Sequence, residues 1–204
     1  MLRSLRPLLF VALTLGACGD KRDDASATKP TGAAPPPTAA KPAATPPTDD
    51  PFTPRDVSGA TLAKVEDTVP GVAFAIELPT GLVREAKDAY VNWTWPDGTF
   101  NAPSITVMAI ELPPTDLAAA VTSAKRTSDP ELVVATQREV DGGFLVSVHT
   151  PDDRYLSTKL HRTVGGKALE CSVVHRTTAK QGPIPARAAT TALAEKICTS
   201  LAGR

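Results

Sequence analysis

The sequence predicts an α+β domain, a mainly antiparallel sheet of about six or seven strands with two packed helices, carried on an unfolded N-terminal tether. Three observations predict it. After Gly59, short alternating apolar runs are separated by turn residues. Two other stretches, one behind Pro113-Pro114 and one near the C-terminus, carry apolar residues at helical spacing instead. Nine of the 20 prolines fall between Pro30 and Pro54, among Ala, Thr, Lys and Asp with almost no large apolar side chain. Such a segment buries too little surface to offset its ordering entropy and stays unfolded. The remainder, residues 58–204, is long enough to enclose a core.

Taken in order, Val72, Phe74, Ile76 and Leu78 alternate as a strand that Pro79-Thr80-Gly81 turns. A second strand spans Ala89 to Trp95 and ends at Pro96-Asp97-Gly98, with proline and glycine where turns favour them. Ser104 to Glu111 is a third, stopped by Pro113-Pro114. Thr115 can then cap a helix whose stripe is Leu117, Ala120, Val121 and Ala124. Four strands follow, over residues 131–139, 143–149, 153–162 and 167–176. A last helix from Pro185 to Leu201 would place Ala186, Ala189, Leu193, Ile197 and Leu201 on one face.

The pair Gly165-Gly166 sets a register that can be written residue by residue. A two-residue turn there pairs Leu160 with Cys171, Thr158 with Val173, Leu156 with His175 and Arg162 with Leu169. Tyr155, Ser157, Lys159 and His161 then face away, opposite Arg176, Val174, Ser172 and Glu170. The first set is the more apolar, and it contains Cys171.

At the N-terminus, Arg3 and Arg6 precede an apolar run from Leu8 to Leu15. Eight helical residues rise about 12 Å, well short of a hydrocarbon core of roughly 30 Å, so the run reads as the core of a signal peptide and not as a membrane span. It ends in Leu15-Gly16-Ala17-Cys18, which resembles the lipobox of bacterial lipoproteins: an aliphatic residue, two small ones and the cysteine. The resemblance implies cleavage after residue 17, lipid on Cys18, and a cell-envelope address on a bilayer. In that family Asp directly after the cysteine favours retention in the inner membrane. Gly19 stands there, with Asp20 one further on, so the resemblance points to the outer membrane. Residues 1–17 are then a signal peptide and residues 18–57 a lipidated spacer, with a polyproline-like reach on the order of 100 Å at most.

The order of elements resembles the PsbP-like fold. The residues that carry the likeness are Phe74-Ala75-Ile76-Glu77-Leu78-Pro79-Thr80-Gly81, the strand-then-helix passage from Ile105 to Ala124, the late Gly165-Gly166 hairpin and the closing amphipathic helix. That fold is shared by an extrinsic photosystem subunit, a nuclear import factor and many small bacterial lipoproteins. Its members resemble non-catalytic partners of larger assemblies, so the likeness implies binding and supplies no site residues.

With lipid on Cys18, the remaining cysteines form an even pair in an oxidising compartment. Cys171 points to the more apolar strand face, and Cys198 neighbours Ala194 and Leu201 on the inward side of the last helix. The two can meet if that helix packs on that face. A disulfide closing their loop of 27 residues would contribute roughly 3 to 4 kcal/mol.

Signatures of catalysis are missing: there is no G-x-S-x-G, phosphate loop, Rossmann glycine pattern, H-E-x-x-H or C-x-x-C. The balance of 22 basic and 22 acidic residues gives no field to draw in nucleic acid. His161 and His175 fall on opposite faces of the hairpin. His149 is expected to point outward because Phe144, Val146 and Val148 should face the core, so no metal or other cofactor is expected. Asp152-Asp153 reads as a turn. Tyr90, Trp93, Trp95 and Phe100 put four of nine aromatics in one short stretch. Trp93 and Trp95 share a strand face, as either a flat ligand platform or a buried core cluster requires. The expected function is therefore a non-enzymatic, membrane-anchored domain that binds or helps assemble an envelope protein. A small-molecule or glycan module using Trp93 and Trp95, and an enzyme with an unrecognised site, are the alternatives. A pocket gathering polar residues on the sheet would be the first support for the enzyme.

Overall fold

The computed structural model describes residues 53–96, 101–125 and 131–204. The signal peptide, the Leu15-Gly16-Ala17-Cys18 motif, the spacer up to residue 52, Asp97-Gly98 of the second turn and Phe100 lie outside the described residues. Packing begins within the segment that composition marks as spacer. Pro54 and Val57 are buried, and the Arg55 amide donates to the Asn101 carbonyl at 2.6 Å.

The domain is α+β, with every strand pair antiparallel. The chain runs β1 (Leu62–Val69), β2 (Val72–Pro79), β3 (Val83–Ala86), β4 (Tyr90–Thr94), β5 (Ser104–Ala109), α1 (Leu117–Ala124), β6 (Val133–Val140), β7 (Gly143–His149), β8 (Tyr155–Val164), β9 (Lys167–Arg176), α2 (Arg187–Thr199) and β10 (Ala202–Gly203). A three-stranded sheet has the order β1-β2-β10, and a seven-stranded sheet the order β3-β4-β5-β9-β8-β7-β6.

The β8–β9 hairpin keeps the register that its turn dictates: Leu156 opposes His175, Thr158 Val173, Leu160 Cys171 and Arg162 Leu169. Gly165 and Gly166 have φ of 56° and 77°, the left-handed pair that a tight hairpin needs and side-chained residues resist. Leu145, Leu160, Leu169, Cys171 and Val173 line one face of the large sheet. They pack against β2 and the buried stripe of α2, which is Leu193, Ala194, Ile197 and Cys198. Val146, Val148 and Phe144 turn to the opposite face, where α1 lays Leu117, Ala120, Val121 and Ala124 over them. The large sheet is thus sandwiched, with a core on each side.

That double cover corrects the placement of His149. Phe144, Val146 and Val148 do face a core, but it is the α1 core. His149 therefore belongs to the face shared with α2, opposite Leu156 and with its side chain only 14% exposed. The start of α2 also differs from its apolar stripe. Ala186 and Ala189 are exposed, while Thr190 and Thr191 are buried. The two hydroxyls turn back onto the carbonyls of Pro185 (3.2 Å) and Arg187 (2.9 Å), which lets residues that read as polar lie inside. Asp116, not Thr115, caps α1; its Oδ1 accepts from the Ala119 amide at 2.8 Å.

Three contacts fix the far end of α2, one of them the Glu77 amide of β2 donating to Ser200 Oγ at 2.7 Å. Cys198 is joined to Cys171 by a disulfide, with Cα atoms 5.5 Å apart. Arg162 donates from Nη1 to the carbonyls of Thr199 and Leu201, at the negative end of the helix dipole, and from Nε to that of Asp141.

Candidate functional site

Helix α1 crosses β6, β7 and β8, with Val174 of β9 packed against its cluster, and among the described residues no helix lies on the β3–β4–β5 side of the same sheet face. Alternation of side chains places a specific set on that floor. One cross-strand row runs Tyr90, Met108, Glu170, His161, Phe144, and the next runs Asn92, Thr106, Ser172, Lys159, Val146. The outer end of the second row is hydrogen-bonded across the sheet, Thr106 Oγ1 donating to Asn92 Oδ1 at 3.0 Å.

At the border between the bare floor and the part under α1 lies a charged trio. The Glu170 carboxylate receives Lys159 Nζ at 3.3 Å on Oε1 and at 3.5 Å on Oε2. His161 Nδ1 lies 3.6 Å from the same Oε2. His161 is 4% exposed, and neither ring nitrogen has a hydrogen-bond partner among the described residues. Burial pushes its pKa below that of an ordinary imidazole; the Glu170 charge acts against this, and the Lys159 charge adds to it. The register read from sequence puts His161 opposite Glu170. Their burial was not legible there, because that face reads as the solvent face and no local pattern reports that a helix reaches its edge.

The other residues singled out from sequence serve the core. Trp93 and Trp95 are 3% and 7% exposed; Trp93 meets Phe74 edge to face, with ring centroids 6.4 Å apart. Trp95 also lines a concavity of about 340 Å³ with Asp56, Val57, Gly59 and Ala60. The buried disulfide Cys171–Cys198 links β9 to α2. His175 is fully buried with both ring nitrogens unpartnered among the described residues, and desolvation pushes its pKa down to about 4. Asp152 and Asp153 form the β7–β8 turn. Asp152 accepts from Thr150 Oγ1 at 2.6 Å, and Asp153, at φ 55°, holds both His149 (3.1 Å) and Arg187 (2.9 Å). Among the described residues no group of three His, Cys, Asp or Glu is placed to hold a metal ion. No described helix is long and apolar enough to cross a membrane.

A second concavity, about 720 Å³, opens where the β1–β2 turn, the β3–β4 turn and the β8–β9 hairpin meet the end of β5. Asp88, Glu111 and Lys167 supply its charges, and Leu112, between lining residues Glu111 and Pro113, is 93% exposed.

No protein-family model and no curated protein sequence matches the chain. Among solved structures it is similar to the solution structure of cyanobacterial PsbP (CyanoP) from Synechocystis sp. PCC 6803, with 16% identity and a TM-score of 0.47, covering 71% of this chain and 94% of that one. It is similar, more distantly, to a crystal structure from Bacteroides thetaiotaomicron VPI-5482, with 15% identity and a TM-score of 0.36, covering 64% of this chain and 45% of that one.

Proposed function

We propose that the chain is a membrane-anchored envelope lipoprotein whose α+β domain binds, or helps assemble, a protein partner through the helix-free half of its large sheet. One observation carries the binding surface: the seven-stranded sheet is covered on one face by β2 and α2, whereas α1 covers only the β6–β8 part of the other. The bare part presents Tyr90, Asn92, Thr106 and Met108, all partly exposed and set on rigid strands. Its polar lining carries both signs of charge, Lys159 and Arg176 against Glu170 and Glu85. That chemistry suits a partner surface offering hydrogen-bonding groups without a strong charge of one sign. The anchor rests on the Cys18 motif, and the outer membrane on Gly19 in place of Asp.

The test is photo-crosslinking in intact cells, with a photoreactive amino acid at Thr106 in the full-length lipidated protein and, as a control, at the exposed Ala188 on α2. A discrete adduct from Thr106 that is absent from Ala188 supports the reading. Equal labelling from both positions, or none from Thr106, overturns it. Mass spectrometry of the mature N-terminal peptide checks the anchor independently: added acyl mass on Cys18 is expected, and an unmodified Cys18 removes the membrane part of the proposal.

A second reading is favoured by one observation. His161, Glu170, Lys159 and Ser172 gather polar groups on the sheet, as an unrecognised catalytic site would. For the tryptophan reading, Trp93 is buried in the core and Trp95 lines a concavity of about 340 Å³.

A further inference from the structure

The trio at the border of the bare floor goes beyond simple surface complementarity. Lys159 and Glu170 form a neutral pair, and the acceptor oxygen of that pair also faces an unprotonated imidazole that has no other partner among the described residues. At 3.6 Å the contact between His161 Nδ1 and Glu170 Oε2 is too long for a hydrogen bond and short enough that a small rotation makes one. We propose that His161, Glu170 and Lys159 form a proton-operated switch, in which His161 takes one proton from solvent, draws the Glu170 carboxylate onto itself and releases the Lys159 ammonium to the helix-free floor. The trio passes from zero charge to one positive charge, and the added charge appears on the side chain nearest solvent. The side chain of Lys159 is 24% exposed, against 4% for His161 and 11% for Glu170.

The surroundings leave the exchange to these three groups. Opposite His161 on β7 is Phe144, and opposite Glu170 on β5 is Met108, neither of which ionises. Helix α1 turns only aliphatic side chains to the sheet, with Lys125 at its C-terminal cap. The nearest further ionisable groups on the same cross-strand row are Tyr90, beyond Met108, and Glu139 on β6, beyond Phe144. Burial holds His161 neutral at pH 7, so the switch operates on acidification below the ordinary imidazole range. A surface that becomes cationic in acid gains affinity for an anionic partner group as the pH falls.

The experiment is a pH titration of the full-length protein in detergent micelles, selectively labelled at His, Glu and Lys side chains and followed by NMR. In the wild type, the Glu170 carboxyl carbon and the Lys159 Cε are expected to shift with the same midpoint as the His161 ring, below pH 6.5. Glu170→Gln should lower the His161 midpoint by about one unit and Lys159→Ala should raise it, because the first removes an attracting charge and the second a repelling one. Glu170 and Lys159 signals that stay flat through the His161 transition would overturn the switch. So would a Glu170→Gln variant, folded by its amide dispersion, with an unmoved His161 midpoint. The wild-type titration decides the matter even if a variant fails to fold.

Discussion

The guanidinium of Arg84 on β3 closes over the carboxylate of Asp67 on β1, Nε to Oδ2 at 2.6 Å and Nη2 to Oδ1 at 2.8 Å. It joins the edge of the large sheet to the edge of the small one. The Arg84 hydrogen bonds hold the Asp67 carboxyl below the usual carboxylate range. A lowered carboxyl pKa contributes stability that is present above the unfolded value and lost as pH falls through the folded one. Because Arg84 is 48% exposed, solvent screening limits the effect. Arg84→Ala should cost up to about 1 kcal/mol at pH 7 and progressively less as acid protonates the Asp67 carboxyl, measured by urea denaturation at neutral and acid pH. An equal cost at both would show that the ion pair is not its source.

His175 acts over a different window. Its folded pKa of about 4 lies below the ordinary value of 6.5, so the unfolded chain binds the proton first and stability falls as pH drops from about 6.5 towards 4. The difference amounts to at most about 3 kcal/mol. His175→Leu should flatten the acid limb of the stability curve without reproducing the Arg84 effect. An unchanged slope between pH 6.5 and 4 in that variant would mean that another group carries it.

Both indoles are enclosed, and that too can be measured. Fluorescence of the folded protein should resist acrylamide and become quenchable only on unfolding. Trp93→Ala, which removes the ring that Phe74 packs against, should cost about 3 to 5 kcal/mol. Easy quenching of the native state would put a tryptophan at the surface and revive the platform reading.

The disulfide gives a further large effect. Cys171→Ala together with Cys198→Ala should lower the unfolding free energy by about 3 kcal/mol, read from denaturant midpoints at constant slope. The unreduced, unfolded mature protein should show no thiol to Ellman's reagent. One reactive thiol there would contradict the lipid on Cys18, and two would contradict the crosslink.

How far the sequence could be read depended on whether local patterns carried the determining physics. Gly165-Gly166 sits between two long strands, and a two-residue loop leaves one register, so the entire β8–β9 pairing and the face of Cys171 followed from it. Strands β1 and β3 escaped because they lie at sheet edges: Leu62–Val69 alternates weakly, and all four residues of Val83–Ala86 are exposed. The two residues of β10 are too few for any period. The trio was half legible. Its cross-strand pairing came with the register, but its burial is set by packing between residues far apart in the chain.

The last turn of α2 is held by the bond from Cys198 to β9, by Arg162 reaching its final carbonyls and by the Glu77 amide on Ser200, whereas its first turn follows a left-handed Ala186 with no side-chain cap. Its entry is secured instead by Asp153, whose carboxylate meets Arg187 at 2.9 Å and whose carbonyl accepts from the Ile184 amide at 2.8 Å, so one turn residue takes the place of a cap.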